Sequence, residues 1–169
     1  MLKIYGCTEI KKPVLESDPY ILLNLIFGTR KDGNKKTIYW RTGDLKKNLL
    51  EVGIGKDNGE LYSITLVCCE RNIINGTDKV DINILKEEEG CPEFELVQGE
   101  NEQVLQVLDE LHEFKIFLDK KAINILYTDD PIDFSLKNEC VDFFMNEKRE
   151  WVGIRIHNVS DKILDSFRR

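Results

Sequence analysis

At 169 residues, 41% hydrophobic and 33% charged, the chain fits one domain over 1–169 with enough apolar area to offset the entropy of folding. A formal charge of −7 repels phosphate and argues against direct binding of DNA or RNA, which calls for clustered Lys and Arg. Five cysteines, with Cys68 and Cys69 adjacent and no C-x-x-C pair, argue against a disulfide framework or structural zinc site and fit reduced thiols in a cytoplasm.

Met1 to Cys7 lack the apolar stretch and cleavage site of a signal peptide. The longest apolar run, Ile21 to Phe27, is too short to span a membrane and is interrupted by Asn24. A cytoplasmic protein without membrane association is expected. Residues 18 to 41 carry two readings. Asp18 before Pro19, with Gly28 at the far end, frames a capped helix carrying Ile21, Leu22, Leu25 and Ile26. Asp32-Gly33, between that run and Thr37-Ile38-Tyr39-Trp40, frames a hairpin instead.

The clearest local signal follows at Leu49 to Val67. Leu50, Val52 and Ile54 alternate, Lys56-Asp57-Asn58-Gly59 intervenes, and Leu61 to Val67 resumes a β-rich run. Asn-Gly in this setting predicts a hairpin closed by a type I′ turn, with positive φ at both central residues. Further strands are expected at Val80 to Leu85, Phe94 to Val97, Phe114 to Leu118 and Ala122 to Tyr127, with Asp119-Lys120-Lys121 as a tight connection. Asn72 to Asp78, Glu87 to Pro92 and Asp129 to Asp133 read as loops.

A helix is expected at 101–111, where Val104, Leu105, Leu108 and Leu111 recur at helical spacing behind Asn101, with His112 as a cation at its C-terminal end. A second hairpin is expected at Cys140 to His157, and a short terminal helix from the Ser160 cap, burying Ile163, Leu164 and Phe167. The two hairpins look alike after a one-residue adjustment, as either a duplicated β unit or chance produces. The fold class expected is α+β: a mainly antiparallel sheet built from hairpins, with two or three helices packed on it.

The common catalytic constellations are not evident. Gly53, Gly55 and Gly59 form no phosphate-binding pattern, and the carboxylates are too many for any pair to stand out as acid and base. Cys140 is expected across the second hairpin from His157, the seed of an alternative reading as a small hydrolase or transferase using Asp or Glu with His157 or Cys140. No catalytic residue, cofactor or metal ligand is assigned. The acidic runs carry the functional reading: Glu87, Glu88 and Glu89, then Asp129, Asp130 and Asp133, are the candidate partner-binding residues, an acidic patch for a basic protein. A solvated face is the plainer account of the same runs. Edge strands offer a further route, by strand addition.

Leu50-Glu51-Val52-Gly53-Ile54, Asn58-Gly59-Glu60-Leu61 and Ser63-Ile64-Thr65-Leu66-Val67 resemble segments of small bacterial immunity proteins of contact-dependent growth inhibition and related polymorphic-toxin systems, as does Gly153-Ile154-Arg155-Ile156 with its Asn158-Val159-Ser160 exit. The resemblance implies a non-enzymatic cytoplasmic protein that binds the toxic domain of one cognate toxin, often a nuclease, and masks its active site or substrate face. A non-catalytic regulatory or structural module of a larger bacterial assembly is the remaining alternative.

Overall fold

The computed structural model describes residues 1–28, 36–70, 73–75, 84–96 and 107–168. Period-two alternation dominates them. In chain order the elements are β1 (Ile4–Thr8), β2 (Pro13–Glu16), β3 (Leu23–Phe27), β4 (Thr37–Gly43), β5 (Asn48–Gly55), β6 (Leu61–Cys69), β7 (Ile73–Asn75), β8 (Lys86–Glu89), β9 (Cys91–Phe94), β10 (Val107–Glu110), β11 (Lys115–Leu118), β12 (Ala122–Leu126), β13 (Phe134–Asn138), β14 (Val141–Met145), β15 (Trp151–His157) and α1 (Asp161–Ser166). Strands take up 58% of the described residues and helix 4%, so the protein is mostly β, and the expected α+β class with two or three helices is overturned.

Two local misreadings explain the difference. In β3, Leu23, Leu25 and Phe27 are buried while Asn24 and Ile26 are half-buried, a two-residue repeat that outweighs the helical framing. Asp18 does cap, but its carboxylate accepts the Tyr20 and Ile21 N–H groups at 2.7 and 2.9 Å in a turn that opens a strand. The hairpin reading is corrected too, since β3 pairs with β2 and β6, and β4 pairs with β5 and β10; Asp32-Gly33 lies outside the described residues. Of the helix expected at 101–111, residues 101–106 lie outside the described residues, and Val107–Glu110 is β10, parallel to β4. His112 therefore ends no helix.

Glu87 to Pro92, expected as loop, supplies β8 and the start of β9. Of the strand expected at Phe94 to Val97, Phe94 closes β9, Glu95 and Leu96 lie beyond it, and Val97 is outside the described residues. Residues 80–83 are also outside, and Ile84 and Leu85 lead into β8. Of the loop expected at Asn72 to Asp78, Ile73–Asn75 is β7 and the rest is outside. Both expected hairpins form, as β5·β6 and β14·β15. The first closes differently from expectation: the Gly59 N–H reaches the Gly55 carbonyl at 2.8 Å, only Gly59 of the loop has positive φ, at 69°, and the Asn58 side chain accepts the Glu60 N–H at 3.1 Å. Glycine is required at 59 because a Cβ there would lie 2.3 Å from the Phe94 carbonyl oxygen. The terminal helix buries Ile163, Leu164 and Phe167 as expected, but Ser160 caps through its carbonyl, with no side-chain cap bond.

The strands form a six-stranded sheet ordered β10-β4-β5-β6-β3-β2, a seven-stranded sheet ordered β7-β11-β12-β15-β14-β13-β8, and a β1·β9 ribbon. One apolar core joins all three, with Trp40 of the first sheet 6.1 Å from Trp151 of the second, and Phe27 6.0 Å from Phe143. The two large sheets thus pack face to face as a sandwich.

Within each large sheet lie five strands in the same order. Following the chain, β2 to β6 pair as 2-3-6-5-4, and β11 to β15 pair as 11-12-15-14-13. The pairs Leu50·Leu66, Val52·Ile64 and Ile54·Leu61 take the places of Val141·Ile156, Phe143·Ile154 and Met145·Trp151, and both ladders shift register at the same step, Gly53/Ile54 and Phe144/Met145. Leu23-Asn24-Leu25-Ile26 matches Ile123-Asn124-Ile125-Leu126 in the same manner.

The ties between the units are reciprocal. A parallel strand flanks the third strand of each unit in chain order, β10 on β4 and β8 on β13. Fully buried Asn138 of β13 clasps the backbone N–H and carbonyl of Lys11 ahead of β2, each at 2.7 Å, while fully buried Thr42 of β4 donates to the His112 carbonyl ahead of β11 at 3.3 Å. The ribbon joins both hairpin tips: the Phe94 N–H reaches the Gly59 carbonyl at 2.8 Å, and the Ile4 N–H reaches the Arg149 carbonyl at 3.0 Å. A duplicated β unit is the architecture of the molecule.

Candidate partner-binding surface

The fold brings most of the candidate acidic residues to the β8 end of the seven-stranded sheet. The Asp133 carbonyl accepts the Leu85 N–H at 2.8 Å and the Lys86 N–H at 3.3 Å, setting the 129–133 loop against the start of β8. On that strand Glu87 pairs with Lys137 at 2.9 Å, and Glu88 with Lys86 at 2.6 Å and Arg149 at 3.9 Å. Asp130 and Glu150 share the Asn146 side-chain amide, at 3.4 and 2.8 Å. Asp129 stands apart, paired with Lys115 at 2.6 Å on β11.

The acids are not equally available. Glu87, Glu88 and Asp129 have cationic partners, exposed ion pairs of small net worth. Lys86 and Arg149 draw the Glu88 carboxyl below its usual range, the Lys86 contact acting most strongly. No Lys or Arg among the described residues stands at ion-pair distance from Glu89, Asp130 or Asp133. Leu85, whose N–H is bonded to the Asp133 carbonyl, is 71% exposed, an apolar side chain at the start of the acidic strand. Sequence reasoning missed Leu85 because it ended an expected strand, and missed the cations because Lys86, Lys137 and Arg149 lie outside the acidic runs.

Cys140 and His157 adjoin through the backbone, the His157 N–H reaching the Cys140 carbonyl at 2.8 Å, but their side chains serve different surroundings. Cys140 packs against the inter-sheet core, and burial raises its thiol pKa, which keeps it protonated and weakly nucleophilic. Burial likewise raises Cys68, and carries Cys91 to about 12. Asp142 projects the opposite way, between core residues Val141 and Phe143, and holds the His157 ring at 2.7 Å on the outer face. The geometry withholds imidazole from the thiol.

Among the described residues no group of three or more His, Cys, Asp or Glu is placed to hold a metal, and no helix is long and apolar enough to cross a membrane. The outer face of the six-stranded sheet carries the row Asp109·Arg41·Glu51·Thr65·Asn24·Glu16, in which Arg41 grips Asp109 through two bonds of 2.7 and 3.0 Å. The matching row of the other sheet is Glu89·Lys137·Asp142·Arg155·Asn124·Phe117, so the acid–base–acid order recurs on both faces. No protein-family model and no curated protein matches the chain.

Proposed function

We propose that the protein is an immunity protein, which binds one cognate toxin domain and masks its active site or substrate face without catalysing a reaction. The observation that carries this reading is that the second acidic stretch, through Asp133, lies against the start of β8, the strand that carries Glu87 to Glu89, beside the exposed Leu85. A surface of that kind favours a basic partner: the carboxylates speed encounter and reject acidic surfaces, while an apolar anchor slows dissociation. A nuclease fits the charge, since its cleft is built to hold phosphate. The raised thiols and the His157–Asp142 contact support a binding role over a thiol-based hydrolase or transferase.

Co-expression with the product of the directly upstream gene tests the proposal. Relief of growth inhibition and a stable one-to-one complex are expected. Reversing Glu87, Glu89 and Asp133 to Lys should slow association about tenfold or more at low salt, with the difference shrinking as salt screens the field. An upstream product that is harmless, or a toxin that remains active and unbound, overturns the reading.

A further inference from the structure

The outer faces of the two units carry the same row of side chains with one partner missing. In the second unit Asp142 lies in register between Lys137 and Arg155 and holds the His157 ring at 2.7 Å. Its counterpart in the first unit is Glu51, in register between Arg41 and Thr65. Thr65, in the place of Arg155, carries no charge and donates to the Asn24 side chain at 3.0 Å, and Val67 follows Leu66 where His157 follows Ile156. Arg41 is committed to Asp109, which takes two of its nitrogens at 2.7 and 3.0 Å. No Lys, Arg or His among the described residues therefore stands at ion-pair distance from Glu51, and burial raises its carboxyl pKa more than the nearby Arg41 lowers it. The neighbouring row, Val107·Tyr39·Gly53·Ser63·Ile26, bears no charge, and its Tyr39 is 37% exposed, with Cε1 3.5 Å from where a Cβ on Gly53 would lie.

We propose that the outer face of the six-stranded sheet docks a partner protein through an arginine, whose guanidinium ends on Glu51 and whose stem lies along the Tyr39 ring. Charge complementarity selects this occupant. The face leaves one carboxylate without a cation on a chain of net charge −7, while the duplicate unit meets the same position with a ring nitrogen and a flanking arginine. Tyr39 is the diagonal cross-strand neighbour of Glu51, about 7–8 Å away and within the span of one long side chain. Arginine suits the place better than lysine, because its planar group both forks onto a carboxylate and stacks on an aromatic ring.

The inference rests on the reading that the protein acts by binding another protein, and it adds a contact on the other large sheet from the β8 end. A tri-arginine peptide with blocked ends is the probe. Titration into the isotope-labelled chain at low salt should saturate, with amide shifts concentrated at Tyr39, Arg41, Glu51, Gly53 and Thr65, and tri-citrulline, its uncharged match, should not produce them. Glu51→Gln should weaken binding at this face about fivefold or more without lowering the unfolding midpoint, and Glu87→Gln, at the β8 end, should leave the response of this face unchanged. Shifts centred elsewhere, equal shifts from tri-citrulline, affinity unchanged by Glu51→Gln, or a fall in the midpoint of that variant would overturn the inference. The outcomes separate the two proposals: tri-arginine binding at Glu51 without a toxin partner keeps this contact and removes the immunity reading, and a toxin complex whose dissociation rate is unchanged by Glu51→Gln does the reverse.

Discussion

The two five-stranded units share one topology and differ in what fills it. At equivalent core positions the first places Leu50, Val52, Ile54 and Leu61 where the second places Val141, Phe143, Met145 and Trp151. Trp151 touches Trp40, Phe94, Tyr127 and Phe143 at centroid separations of 4.7 to 6.2 Å, so the second unit carries the hub of the aromatic centre, to which the first contributes Trp40 and, against Phe143, Phe27. The outer faces differ as well. Phe144 and Val152 of the second unit pack with Ile132, whereas the first has Gly53 and Tyr62 at the equivalent positions. The strand order tolerates either filling; the choice of side chains decides which face is sealed and which is open to a partner.

Truncating the aromatic centre gives the largest expected break in that comparison. Trp151→Ala should cost about 3–5 kcal/mol, and Leu61→Ala, its counterpart, about 2–5 kcal/mol with a smaller cavity; urea unfolding of the two variants measures the difference. Next come the buried clasps. Asn138→Ala leaves both the N–H and the carbonyl of Lys11 without their partner and should cost about 1–3 kcal/mol, more than Thr42→Val, which removes one bond to His112. Hydrogen exchange should then show residues 9–16 opening before the rest of the sheet.

A smaller effect of opposite sign is expected at Tyr127, which occupies the place of Phe27. Its hydroxyl is buried without a hydrogen-bond partner among the described residues, and burial alone holds its pKa well above the ordinary value. Tyr127→Phe should therefore leave stability unchanged or raise it by up to about 1 kcal/mol, read as a higher melting temperature.

The mildest contrast concerns the connections between the fourth and third strands of the two sheets. The Asp44 carboxylate accepts the N–H groups of Lys46, Lys47 and Asn48 at 2.8 to 2.9 Å, an arrangement that the short Glu139-Cys140 turn lacks. These bonds, the one from Asn48 strongest, hold its pKa well below the carboxylate range. A depressed folded pKa stabilises above the unfolded value near about 4 and loses that contribution as pH falls. Asp44→Asn should lower the unfolding midpoint at neutral pH and converge with the parent in acid; a difference independent of pH would exclude this account.

Where turn chemistry and alternation lie close together in the chain, the fold was legible from residues alone. The Leu50, Val52 and Ile54 alternation and the Val141 to Ile156 hairpin are of this kind, and so is the apolar face of α1 at Ile163, Leu164 and Phe167. The strand β3 was not, because Asp18 and Pro19 open a helix and an extended turn with the same chemistry. β10 was hidden for a related reason: Leu108 and Leu111 fit a helical repeat, but Leu108 sits in a strand beside Trp40 and Leu111 is 71% exposed. Of the candidate surface, the acidic residues could be named from sequence, while their convergence with Leu85 and their neutralisation by Lys137 and Lys86 could not.

The amino-acid sequence by itself determined the acidity, the two hairpins and the short terminal helix, because each depends on charge totals or on neighbours within a turn. The tertiary structure alone decided that the units repeat, that β7, β8 and β10 pair in parallel, and that β2 is left at an edge. Those outcomes depend on contacts between residues far apart in the chain, where burial of one shared core selects among many pairings that local preference leaves equal.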